Sequence, residues 1–137
     1  MTLKGYSAGF FILCAVGLLT MFSVMLVNPL LSIFAKEIGA SGVWIGLSVA
    51  GYWVSRVLLE VPSGLISSRF GYYKPMTVGL ALTVVGNVLC AYATNPVQLI
   101  LARALMGMGA PLFFAVSMTF IVNLFEAEKR GSALGLF

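Results

Sequence analysis

From Ala8 to Ala35 the chain carries no charged residue, and long apolar runs return three more times with short polar breaks between them. At ~1.5 Å per residue, the first run is long enough to cross a ~30 Å hydrocarbon core with some tilt. It is too long for a typical signal-peptide core and has no Ala-x-Ala site at its end, so it reads as an uncleaved first helix. Asn28-Pro29 interrupts its second half. Pro29 removes one backbone hydrogen bond, which predicts a kink. Lys36 to Ser41 is a polar break. A second span is expected over 43–66, with Trp44 as an interface anchor. Further spans follow over 75–94 and 97–125, separated by Asn95-Pro96. Glu126 to Gly131 is charged, and a fifth apolar run opens near Ser132. The pattern predicts an all-α, polytopic membrane helix bundle: four transmembrane helices and the start of a fifth.

Composition strengthens this reading. Hydrophobic residues make up 61% of the 137 and charged residues 9%, against about 25% charged in a typical soluble domain. Mean hydropathy is +1.06. A soluble core of this size cannot hide so much apolar surface, so lipid is the main solvent. The net charge of +4 is spread too thinly to suggest nucleic acid. The basic residues instead sort by side. Lys4, Arg69, Lys74, Lys129 and Arg130 fall on one side and Lys36 on the other. This bias predicts a cytoplasmic N-terminus in the cell membrane. Cys14 and Cys90 lie in apolar runs and read as packing residues rather than a disulfide. The chain has no His. It shows no metal-ligand spacing, phosphate-cradling loop or nucleophile with a base, so no catalytic, cofactor or metal site is expected.

Three charges lie inside the predicted spans. An ionised group near the bilayer centre costs ~2.5–3.5 kcal/mol on insertion scales, so such groups normally face a bundle interior or water. Arg56 and Glu60 are four apart and share a helix face with Tyr52, Ser63 and Ser67. This stripe reads either as the lining of a water-filled path, with Glu60 as a proton carrier, or as a neutralised ion pair near the inner interface. Arg103 sits early in the fourth span with no carboxylate on its own helix within reach. Its partner has to be another helix, a carbonyl, water or a substrate. Gly107, Ala110 and Phe114 continue its face and allow close backbone approach. Asn28 and Asn87 are neutral candidates for a substrate contact. Gly79, Thr83, Gly86 and Cys90 form a small-residue ridge suited to helix packing, and Gly42, Gly46 and Ala50 form a second.

The segment Glu60–Pro75 is the basic hinge between the second and third spans. It resembles the signature that the major facilitator superfamily places there, Gly-x-Leu-Ala-Asp-Arg-x-Gly-Arg-Arg/Lys. Gly64, Arg69 and Gly71 are in register, and Lys74 supplies a base slightly late. Ser68 stands where the family usually has Asp, and Tyr72 and Tyr73 where it has bases. In the fourth span, Arg103, Gly107, Gly109 and Ala110 match the Arg-x-x-x-Gly-x-Gly-Ala pattern of many proton-linked members. Met106 stands where Gln is frequent. The resemblance covers residues 10 to 137.

The resemblance implies the first part of an N-terminal six-helix half, in a transporter whose two halves rock around a central cavity. The expected function is secondary active transport of a small molecule by alternating access, as proton-coupled efflux. Arg103, Glu60, Arg56, Tyr52 and Asn28 are the candidate transport and coupling residues, and Gly64, Ser68, Arg69, Gly71 and Lys74 the conformational motif. The implied partners are the bilayer, the substrate, protons and a C-terminal portion of the same transporter. Uptake of a sugar, organic acid or other metabolite by the same fold is the alternative. A reading of another class is a complete four-helix membrane protein, either a small dimeric transporter or a non-transporting scaffold.

Overall fold

The computed structural model describes residues 8–137, so Lys4 and the polar N-terminal stretch lie outside the described residues. Five helices follow one another: α1 (Ala8–Glu37), α2 (Gly42–Phe70), α3 (Tyr73–Ala91), α4 (Pro96–Leu124) and α5 (Ala127–Leu136). The first four are long and apolar enough to cross a membrane. Their short connections alternate the helix direction, and α4 packs against both α2 and α3, which scarcely touch one another. Among the described residues there is no strand. Large apolar side chains such as Leu18, Ile33, Leu58, Val61 and Leu65 point outward and are 60–76% exposed. That is the arrangement expected where the surrounding solvent is hydrocarbon.

Two helices differ from the sequence expectation. α2 runs to Phe70 rather than ending near Ile66, and α5 starts at Ala127 rather than near Ser132. Hydropathy marks where a helix leaves the apolar core, whereas the backbone keeps its helical bonds into the wetter interface. The expected long hinge is consequently reduced to Gly71–Tyr72. Gly71 ends α2 with φ of 79°, a conformation that a side chain disfavours. α1 continues as a helix through Pro29, α2 through Pro62 and α4 through Pro111.

α4 is the buried axis. Its start is fixed by sequence: Pro96 occupies the first turn, where its missing N–H costs nothing. The Asn95 side chain accepts from the Gln98 N–H at 2.9 Å, and Gln98 Oε1 accepts from the Thr94 N–H and hydroxyl, each at 3.0 Å. This is a reciprocal cap in which two turn donors and one helix donor are satisfied.

Glycines set how closely α2 and α3 approach α4. A Cβ on Gly79 would lie 2.7 Å from the Gly109 carbonyl oxygen, and one on Gly109 2.5 Å from that of Gly79. Gly86 lies against Met106 in the same way. The third-helix ridge is thus a packing seam, with Thr83 donating to its own helix at Gly79 and the Cys90 thiol 3.8 Å from the Met106 sulfur. The other small-residue ridge does not pack as expected. Gly42 and Gly46 have nothing within 4 Å of a Cβ position, and Ala50 is exposed. The chain supplies no helix on that side among the described residues. α1 packs against the other helices much more sparsely than α2 and α3 pack against α4.

Candidate functional site

Arg103 is fully buried, an unusual environment for a cation in a membrane helix. It lies about two turns from the start of α4, ~10 Å along the axis. Its Nη2 donates to Oδ1 of Asn28 on α1 at 2.8 Å. The guanidinium carbon stands over the Tyr52 ring of α2, 5.1 Å from its centroid. That is within the range at which a ring quadrupole attracts a cation. Three helices therefore meet at one charge.

Gly107 makes this meeting possible. It sits one turn beyond Arg103, and a Cβ there would collide with the Tyr52 carbonyl oxygen. The absent side chain lets α2 press onto α4 until the Tyr52 ring reaches the guanidinium. Pro111 has no N–H to offer the Gly107 carbonyl, so that helical bond is also missing.

The site is incomplete in hydrogen-bonding terms. Nε and Nη1 of Arg103 are buried and have no partner among the described residues. The chain's four acids, Glu37, Glu60, Glu126 and Glu128, are all exposed. None forms an ion pair with Arg103; the ion pair among the described residues is Arg56–Glu60.

Arg56 and Glu60 stand apart from this cluster. Their Nε–Oε2 distance is 3.8 Å, and the Glu60 side chain is 50% exposed against 21% for Arg56. Arg56 also lies over the Trp53 ring at 5.5 Å. Helix geometry explains the separation. Each step of four residues advances ~40° around the axis, so Glu60 is ~80° from Tyr52, while Ser63 returns to ~20°. Tyr52, Ser63 and Ser67 are buried, and the two serines donate to carbonyls of their own helix. The expected continuous stripe is therefore split into a buried polar face and a flanking ion pair.

At the other end of the bundle, the motif residues Gly64, Ser68, Arg69, Gly71 and Lys74 are exposed. Ser68 donates to the Leu65 carbonyl at 2.8 Å, so its hydroxyl stays within α2. The link from this turn to α4 comes instead from Tyr72. Its phenol oxygen accepts from Asn123 Nδ2 at 2.9 Å, and its ring lies 5.5 Å from Phe120. Nearby, Arg130 Nε donates to the Phe125 carbonyl at the end of α4, at 3.0 Å. Sequence reading missed Asn123 because a neutral amide near a helix end has no periodic or charge signal. In the α4 motif, Gly107, Gly109 and Ala110 are all buried beside Arg103.

Known proteins share this pattern. Residues 13–137 match the family model of the Major Facilitator Superfamily. The chain is 33% identical to the inner membrane transport protein YajR of Escherichia coli over 85% of its length and 25% of that protein. It is 34% identical to the multidrug resistance protein MdtH of Yersinia enterocolitica, over 91% of its length and 31% of that protein. An uncharacterized transporter of Buchnera aphidicola is 31% identical over 85% of the chain and 30% of its own length. The chain spans about a sixth to a third of the length of the curated relatives it matches. With the four apolar helices and the two motifs in order, the match is decisive: this integral membrane chain belongs to the Major Facilitator Superfamily.

Proposed function

We propose that the chain forms the first part of the N-terminal half of a secondary active transporter that exports a small molecule by alternating access in exchange for protons. The observation that carries this is the buried, incompletely partnered Arg103 held between Asn28 and Tyr52. A cation that the chain itself leaves uncompensated in the membrane fits a group whose partner changes during a transport cycle. The multidrug names of some relatives support export. In this reading the N-terminus is cytoplasmic in the cell membrane, and the remainder of the transporter supplies the facing half of the cavity. Arg103 is the coupling residue, and Glu60, paired with Arg56, is the acid that exchanges a proton. Asn28 and Tyr52 hold the guanidinium, while Gly64, Ser68, Arg69, Gly71 and Lys74 bear on the turn that moves between states.

The test uses the full-length transporter in proteoliposomes with an imposed pH gradient and a fluorescent amphipathic solute. Export should require the gradient, and Arg103→Ala should abolish that requirement or the flux. Gradient-driven flux unchanged by Arg103→Ala would refute the coupling role.

A further inference from the structure

The polar groups around Arg103 are unbalanced in a specific direction. Nε and Nη1 are unpartnered donors. Asn28 has given its carbonyl oxygen to Nη2, and its own amide hydrogens have no partner among the described residues. The Tyr52 ring covers one face of the guanidinium without offering a hydrogen-bond acceptor in that contact. What remains is a set of N–H groups with a positive charge and no acceptor. A buried donor left unmade costs ~1–3 kcal/mol, and more when it is charged. No acid of this chain relieves that cost, since all four are exposed.

We propose that Arg103 and Asn28, with Tyr52 as a backing ring, form a binding site for a single negative charge: the carboxylate of a transported solute or a free halide. Both sources present the same chemistry, a compact monovalent anion that accepts from one free guanidinium donor beside Nη2, either Nε or Nη1, and from the Asn28 amide. Charge-assisted bonds to such a ligand are shorter and stronger than neutral ones. The guanidinium is closed off in this conformation, so binding requires α1 to move. α1 is the sparsely packed helix and carries Asn28. Its displacement would open the guanidinium and bring the amide hydrogens to the ligand. The solute arm of this proposal rests on the transport reading; the halide arm does not.

The experiment uses the full-length transporter in detergent, with bromide and benzoate as probes. Each should raise the thermal midpoint saturably, and crystals grown in bromide should show an anomalous peak beside Arg103. Arg103→Gln should weaken both responses about ten- to a hundredfold, the effect of removing a charge-assisted contact. Lys36→Gln, which removes an exposed cation at the end of α1, should leave them unchanged. Asn28→Asp gives a second readout that does not depend on losing the cation. Its carboxylate would occupy the acceptor position, so the probes should stop binding while the protein stays folded. Transport of an amphipathic acid and its methyl ester then separates the sources. Preference for the acid lost in Arg103→Gln assigns the site to the solute; equal transport with intact bromide binding assigns it to the halide. A carboxylate from the rest of the transporter bonded to Arg103, an ordered water with no bromide peak, or equal shifts in Arg103→Gln would each overturn the proposal. Gradient-driven export can survive that failure, so the two readings fail separately.

Discussion

Gly107 of α4 and the carbonyl of Tyr52 on α2 are so close that a Cβ at position 107 would occupy the oxygen's space. The obstacle is backbone on both sides, so no rotamer change relieves it. This contact holds the Tyr52 ring against Arg103.

Gly107→Val should separate α2 from α4, with a loss of at least the ~1–3 kcal/mol typical of overpacking. The thermal midpoint in detergent should fall well below that of the parent. Gly64→Ala is the control: Gly64 has nothing within 4 Å of its Cβ position, and its midpoint should hardly move.

Asn28→Ala removes the acceptor of Arg103 Nη2. It leaves the guanidinium with no hydrogen-bond partner among the described residues, a cost of ~1–3 kcal/mol or more. Asn28→Gln keeps the amide but moves it by one methylene and should be intermediate. Thermal unfolding in one detergent ranks the three; an alanine variant as stable as the parent would show that the bond contributes nothing.

Tyr72 and Asn123 join the α2–α3 turn to the end of α4. Tyr72→Phe and Asn123→Ala should each cost ~0.5–1.5 kcal/mol, and the double variant no more than the larger single effect. A double-mutant cycle read by thermal unfolding tests this. Additive losses would mean that the bond is absent in the folded protein.

The two thiols should differ in reactivity. Cys90 is buried against Met106, whereas Cys14 is half-buried. In detergent, N-ethylmaleimide should modify Cys14 first, with Cys90 following only as the bundle opens. Mass spectrometry over a time course reads the order directly.

The helices were legible in the sequence because lipid imposes long, uncharged runs and puts turn residues such as Asn95-Pro96 between them. Gly107 was legible as a close-approach position because it continues the face of Arg103 without a side chain, whereas Gly109 was marked only by its place in the motif. The partner of Arg103 was not legible. Asn28 is neutral and 75 residues away, and no spacing rule links α1 to α4. The stripe through Tyr52, Arg56 and Glu60 read as continuous because a four-residue step resembles a straight line, although it drifts ~40° each time. The true end of α2 was hidden for a different reason: Ser67 to Arg69 are polar enough to leave the core yet compatible with a continuing helix.

The glycine seams also divide the bundle mechanically. α4 interlocks backbone to backbone with α2 at Gly107 and with α3 at Gly79 and Gly109, and sliding along either seam would drive one backbone into the other. α1 has no comparable interlock; a side-chain hydrogen bond at Asn28 pins it to α4. The natural slip plane runs between α1 and the other three, with a polar bond as its catch. Releasing that catch would let one helix shift while a rigid three-helix block keeps its shape.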